Sequence, residues 1–151
     1  MKMIQETILI LEDDIQLQWI LKTYLENKGF TTIAFDTIEK VMEVISKEKI
    51  SVFITEYWIN HSDTLEIIKQ LKKTLPEVYI MLITYRMMDE KEYENLIVAG
   101  VDDLFEKPFS LDKMMVLLNR RLKINSCCHE KRDSIQNEQV MNRQDNAESP
   151  F

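Results

Sequence analysis

The sequence alternates between two kinds of apolar segment, and this alternation restricts the fold more than any other feature. Five short runs rich in β-branched and apolar residues have the composition of buried strands, at 7–11, 31–35, 51–55, 78–84 and 101–105. The longer stretches between them carry apolar residues at helical spacing, and Gly29, Pro76 and Gly100 stand where such helices are expected to end. The pattern therefore predicts five strand–helix units.

Strands that alternate with helices favour a parallel sheet with helices on both faces and right-handed crossovers. Five units predict an α/β fold of the flavodoxin-like, doubly wound (βα)5 kind, with strand order 2-1-3-4-5. We expect residues 1–124 to form this domain. Residues 125–151 are polar and without period, which predicts a disordered tail. Cys127, Cys128 and His129 in that tail suggest zinc, but three adjacent candidates without a second pair favour a solvated tail.

The charge and hydropathy of the chain narrow the classes of function. The formal net charge is -7 and the isoelectric point is about 4.9, which argues against a direct nucleic-acid partner. The N-terminal segment lacks the pattern of a signal peptide, and no apolar run reaches the length of a membrane span. We therefore expect a cytoplasmic protein that does not contact a membrane.

Polar side chains follow four of the predicted strands. Glu12 and Asp13 follow the first strand, Glu56 follows the third, Thr84 ends the fourth and Lys107 follows the fifth. In the predicted strand order these ends are neighbours, so the side chains should face one cleft. Clustered carboxylates repel one another, and Mg²⁺ would relieve the repulsion. Metal, lysine and threonine together would handle a phosphoryl group.

Three motifs at these strand ends match a known family. They are "ILILEDD" in the first unit, "VFITEYWINHSDTLEII" in the third and "GVDDLFEKPF" in the fifth. Over residues 7–123 the chain resembles the receiver domain of two-component response regulators. The combination of motifs is far more specific than any one of them.

The resemblance implies roles for the residues at the strand ends. It implies a Mg²⁺ site whose ligands are Glu12, Asp13, Glu56 and the main-chain carbonyl of Trp58. It also implies that Thr84 and Lys107 contact the phosphoryl group, and that the peptide between Lys107 and Pro108 is cis.

The chain departs from the family at the positions that receive and report a phosphoryl group. Glu56 stands where the family has its phospho-accepting aspartate. The extra methylene moves the carboxylate by roughly 1.3–1.5 Å, and a displacement of about 1 Å can slow positioned chemistry about 10²-fold. Tyr85 replaces a usually small residue and could cover the pocket, and Leu104 replaces the switch aromatic. Asn60 and Thr64 replace the usual proline and glycine of the loop.

These departures support the hypothesis of a pseudo-receiver, a stand-alone, non-catalytic module that acts through protein–protein contacts. The expected partner is a histidine kinase or another signalling protein, and Mg²⁺ binding is expected to be weak or absent. A homodimer through the face of the fourth helix, fifth strand and fifth helix is a further hypothesis. This hypothesis is based on charged residues that would suit a solvated face equally well. These residues are Asp102, Asp103, Glu106, Arg120 and Arg121.

Two alternatives stay open at this point. A histidine kinase could still phosphorylate Glu56 slowly in the presence of Mg²⁺. A flavin- or nucleotide-binding enzyme on the same fold is disfavoured, because such sites use glycine-rich loops and this chain has only two glycines. Whether Glu56 imitates the phosphorylated state also stays open, because it supplies one negative charge against roughly two for a phosphate.

Overall fold

The structure is a computed structural model that describes residues 6–122. The described residues fall into two compact units, the first ending at Ser110 and the second beginning at Leu111. The strands are β1 (Thr7–Leu11), β2 (Thr31–Phe35), β3 (Val52–Glu56), β4 (Trp58–Ile59), β5 (Ser62–Asp63), β6 (Tyr79–Thr84) and β7 (Asp103–Glu106). The helices are α1 (Ile15–Asn27), α2 (Ile38–Ile45), α3 (Leu65–Thr74), α4 (Glu90–Ala99) and α5 (Leu111–Leu122).

Five strands form one parallel sheet in the order β2-β1-β3-β6-β7. Because β6 and β7 are the fourth and fifth strands of this sheet along the chain, the predicted order 2-1-3-4-5 is confirmed. The predicted flavodoxin-like α/β class is confirmed with it. The predicted tail and its Cys127, Cys128 and His129 lie outside the described residues.

The sheet of the first unit is covered by helices on both faces. On one face α2 packs against α3 and α3 against α4, above inward-facing side chains that include Leu9, Leu11 and Phe53. On the other face α1 packs against β1 and β2 and buries Leu21 and Leu25. Burial on both faces explains why the three central strands, β1, β3 and β6, are largely apolar rather than alternating.

The second unit contains one described helix, α5. Its apolar residues recur at three- and four-residue spacing, which gives the helix one apolar side. Among residues 6–122 no helix is both long and apolar enough to span a membrane.

Several element boundaries differ from the sequence prediction, including that of β7, which spans Asp103–Glu106 instead of 101–105. Glu56 is the last residue of β3 rather than the first residue of a loop, and all five residues of that strand are buried. The second helix ends at Ile45, because Ser46 closes it and the next residues turn toward β3. The loop after β3 contains an unpredicted hairpin of β4 and β5, in which Trp58 pairs with Asp63.

The hairpin turns through two residues with positive φ, Asn60 at 49° and His61 at 68°. Two-residue hairpin turns of this kind favour glycine, because a side chain with a Cβ costs about 1–2 kcal/mol in the left-handed region. We expect His61→Gly to raise the free energy of unfolding by about 0.5–1 kcal/mol, after the larger unfolded-state entropy of glycine is deducted. Urea unfolding followed by circular dichroism measures the change.

Asn60→Gly is the matched control in the same turn. The Asn60 side-chain amide donates to the main-chain carbonyl of Asp36 at 3.2 Å, and glycine would lose that bond. The control should therefore gain less than His61→Gly or lose stability. Equal gains from both variants would contradict the assignment of this bond.

Candidate functional site

The carboxyl ends of the parallel strands bring the predicted polar residues to one edge of the sheet. Glu12 follows β1, Glu56 ends β3, Thr84 ends β6 and Lys107 follows β7. A cleft of about 590 Å³ opens there, and its lining residues are Glu12, Asp13, Asp14, Leu17, Glu56, Trp58, Asn60, His61, Tyr85 and Lys107. The lining contains four carboxylates and one ammonium, so the formal net charge of the cleft is -3 with His61 counted as neutral.

The ammonium of Lys107 bridges two buried carboxylates. Its Nζ lies 2.6 Å from Glu56 Oε2 and 3.1 Å from Glu12 Oε2. Glu12 exposes 2% and Glu56 3% of its surface. The contact to Glu56 is an ion pair whose angles fall outside those of a hydrogen bond, and Glu56 Oε2 has no hydrogen-bond donor among residues 6–122. We call Glu12, Glu56 and Lys107 the carboxylate–lysine triad.

Burial and neighbouring charges shift the pKa values of Glu12 and Lys107 in opposite directions. Burial raises the pKa of the Glu12 carboxyl above its usual 4.5, against the hydrogen bond from the Asp14 N–H and the charge of Lys107, which lower it. Burial alone would lower the pKa of the Lys107 ammonium. The contacts with Glu56 and Glu12 outweigh it, so the pKa of Lys107 lies above 10.5. The lysine is therefore charged at neutral pH.

Main-chain donors fix the other oxygens of the two glutamates. The Asp14 N–H donates to Glu12 Oε1 at 3.0 Å, and the Tyr57 N–H donates to Glu56 Oε1 at 2.8 Å. The hydroxyls of Thr55 and Thr64 both donate to the main-chain carbonyl of Glu56, at 2.9 and 3.1 Å. These donors were not predicted from the sequence. The one sign of them there is Thr55, the threonine next to Glu56.

Asp13 lies on the exposed side of the cleft. Its Oδ2 accepts a hydrogen bond from the Asn60 N–H at 3.2 Å, which ties the β4–β5 hairpin to the loop after β1. Asp14, the next residue, caps α1 by accepting from the amides of Gln16 and Leu17. Trp58 starts the hairpin and has the Arg86 guanidinium 5.8 Å from its ring centroid.

Thr84, Tyr85 and Leu104 occupy three different environments. The Thr84 hydroxyl is buried and accepts from the Arg86 N–H at 3.2 Å, while its carbonyl accepts from the Lys107 N–H at 2.8 Å. Tyr85 is 76% exposed and lines the cleft, and its ring centroid lies 5.3 Å from Lys107 Nζ. Leu104 is half-buried and packs against the core. The peptide between Lys107 and Pro108 is cis.

The side chains of the predicted metal ligands contact other groups of the chain, and their role as ligands stays a prediction. Glu12 and Glu56 both face the ammonium of Lys107, and Asp13 is bonded to the hairpin. Within residues 6–122 no group of three or more acidic, histidine or cysteine side chains has a metal-binding arrangement.

Two acids of the predicted dimer face are paired inside the first unit. Asp102 Oδ2 lies 3.1 Å from Lys72 Nζ and accepts from the Ile80 N–H at 2.9 Å. Asp103 accepts a hydrogen bond from the Tyr79 hydroxyl. Both acids thus brace the sheet, and the homodimer stays a prediction.

The five-stranded parallel sheet with two acids and a lysine at its carboxyl edge is a doubly wound α/β fold with a polar site at its strand ends. The model of the response regulator receiver domain family matches residues 8–119. The chain therefore belongs to the response regulator receiver domain family, a component of two-component signalling.

Several relatives and solved structures agree with this assignment. An NtrX-like response regulator of Rickettsia typhi is 28% identical over 133 residues, covering 87% of this chain and 28% of the relative. The DNA-binding transcriptional regulator NtrC of Escherichia coli K12 is 24% identical over 113 residues, covering 75% of this chain and 24% of NtrC. The chain thus spans about a quarter of the length of these relatives.

The solved structures share the fold. A two-component response regulator from Clostridium difficile has a TM-score of 0.73 at 24% identity, covering 79% of this chain and 97% of that one. The non-phosphorylated HemR receiver domain from Leptospira biflexa has a TM-score of 0.70 at 19% identity, covering 78% and 94%.

Proposed function

We propose that this chain is a cytoplasmic receiver module that signals without phosphorylation, through contacts with a histidine kinase or another signalling protein. The observation that carries the proposal is the 2.6 Å contact between Lys107 Nζ and Glu56 Oε2. The longer carboxylate reaches the lysine that, by resemblance, would otherwise meet the phosphoryl group. The module then acts by binding rather than by catalysis.

Burial and pairing both weaken Glu56 as a nucleophile. One of its oxygens accepts the Tyr57 N–H, the other faces the ammonium, and only 3% of the residue is exposed. In-line attack needs a free carboxylate oxygen aimed at the donor phosphorus. Neither oxygen meets that requirement without breaking one of these contacts.

Phosphate transfer from acetyl phosphate in the presence of Mg²⁺ tests the proposal, with intact-protein mass spectrometry as the readout. We expect the wild-type chain to keep its mass under conditions that fully label an aspartate-bearing receiver. Glu56→Gln sets the background for labelling at other residues. A phosphate mass on wild type that disappears in Glu56→Gln would establish the alternative of slow phosphorylation at Glu56.

Glu56→Asp restores the family acceptor and tests the remainder of the site. We expect this variant to accept phosphate, at a rate about 10²-fold above wild type, because the shorter carboxylate regains the family position. If it stays unlabelled, Tyr85→Ala in the same background asks whether the tyrosine ring blocks the donor.

A further inference from the structure

The two buried glutamates have no oxygen without a donor or a cation. Glu12 Oε1 accepts from the Asp14 N–H and Glu56 Oε1 accepts from the Tyr57 N–H, at 3.0 and 2.8 Å. The remaining oxygen of each glutamate faces Lys107 Nζ, at 3.1 and 2.6 Å. The charge of the pair is therefore already balanced in part from within the chain.

A divalent ion at the same place would have to compete with that ammonium. Mg²⁺ takes six oxygen ligands at about 2.0–2.1 Å in near-octahedral geometry and gives up its waters reluctantly. An ion that contacted both glutamates would lie beside the Lys107 charge, and like charges at such distances repel strongly in a buried site. Asp13, the third predicted ligand, is turned toward the Asn60 N–H.

We propose that Lys107 is the resident cation of this site and that its ammonium takes the place of the divalent metal between Glu12 and Glu56. The inference deepens the proposed function and rests on it. It adds that the cleft keeps its structure without metal and that the lysine, rather than a lack of carboxylates, excludes the ion.

A cation titration of the wild-type chain is the first test. Trp19 is 66% exposed on α1, so Trp19→Phe leaves Trp58, which lines the cleft, as the single tryptophan reporter. We expect no saturable fluorescence change and no calorimetric heat of binding for Mg²⁺ or Mn²⁺ up to about 10 mM, well above the roughly 10⁻³ M dissociation constants of weak hard-cation sites. Ionic strength is held constant with sodium chloride.

Lys107→Met is the second test, because it removes the ammonium and keeps an apolar stem. The two glutamates then face each other without a cation, so Mg²⁺ should bind with a dissociation constant at least about tenfold below that of wild type. Lys107→Arg keeps the charge and should stay silent. Lys47→Met changes an exposed lysine outside the cleft and should also stay silent.

The outcomes separate this inference from the proposed function. Saturable 1:1 binding of Mg²⁺ to the wild-type chain would overturn the inference, and this arm does not depend on the folding of any variant. No gain of binding in a folded Lys107→Met would also overturn it. A wild type that binds Mg²⁺ yet takes no phosphate would leave the proposed function standing.

Discussion

Replacing Lys107 with methionine is expected to lower the free energy of unfolding at pH 7 by about 3–5 kcal/mol, since removal of one partner leaves buried charges uncompensated. Glu12 and Glu56 are almost fully buried, so water would compensate their charges less well than the ammonium does. Methionine retains much of the apolar stem, and the loss should therefore come from charge rather than packing. Urea unfolding followed by circular dichroism measures the effect.

The size of this loss should depend on pH at both ends of the range. Glu12 has a raised pKa in the folded protein, so the folded state binds its proton more tightly and this carboxyl destabilises the fold as pH rises through that pKa. Without Lys107 the pKa of Glu12 rises further. The deficit of the variant should therefore shrink as the pH falls from 7 toward the raised pKa of Glu12, where the buried carboxyl takes up a proton.

At alkaline pH the change in stability is determined by the deprotonation of Lys107. The pKa of Lys107 is raised in the folded protein, so its stabilising contribution is complete below 10.5 and is lost as the pH rises through the folded value. Wild type should lose stability above that pH through this group, whereas Lys107→Met has no such group to lose. The two stability curves should converge in this range.

Two controls separate charge from shape. Lys107→Arg keeps a cation and should lose less than Lys107→Met. In a Glu12→Gln/Glu56→Gln background the methionine substitution should cost far less, because no buried charge is left to neutralise, and the cycle gives the coupling energy directly. A loss below about 1 kcal/mol in the wild-type background would mean that the triad behaves like a surface ion pair, against the burial described above.

The fold followed from the sequence because each local signal agreed with the next. The β-branched runs predicted β1 and β2 at their observed bounds, and Gly100 with a φ of 118° ends α4 where a glycine stop was expected. The hairpin of β4 and β5 escaped prediction. Its turn uses Asn60 and His61 at positive φ in place of the glycine that usually signals such a turn.

The convergence of Glu12, Glu56 and Lys107 also followed from the sequence, since parallel strands place their carboxyl ends at one edge. The pairing among them did not. A metal site and an ion-pair triad use the same residues at the same strand ends. Only side-chain positions distinguish a lysine that bridges two glutamates from a lysine that is free to contact a phosphoryl group.

Asp102 is another residue whose side-chain contacts could not be predicted from the sequence. Its position in "GVDDLFEKPF" suggested an ion pair across a dimer, yet its partners are Lys72 on α3 and the Ile80 N–H on β6. These partners lie 30 and 22 residues away in the sequence. No local pattern marks such a contact, because the topology of the fold creates it.

Asp102→Ala is expected to lower the free energy of unfolding by about 2–3 kcal/mol, because it removes a charged acceptor from a buried main-chain donor. Asp102 Oδ2 accepts from the Ile80 N–H at 2.9 Å, and Ile80 is fully buried. The same oxygen pairs with Lys72 Nζ, which also donates to the Val78 carbonyl at 2.7 Å. Alanine would loosen α3, β6 and the turn before β7 together. Urea unfolding gives the magnitude, and hydrogen exchange at Ile80 reports the lost acceptor directly.

Asp102→Asn and Lys72→Met resolve the two contributions. Asparagine keeps an oxygen for the Ile80 N–H and loses only the charge, so it should cost about 1 kcal/mol and leave the Ile80 amide protected. Lys72→Met keeps the same acceptor and should likewise spare the amide. If Asp102→Ala left Ile80 exchange unchanged while stability fell, the loss would belong to the ion pair with Lys72. If asparagine and alanine cost the same, the charge of Asp102 and not its bond to the β6 backbone would carry the stability of this brace.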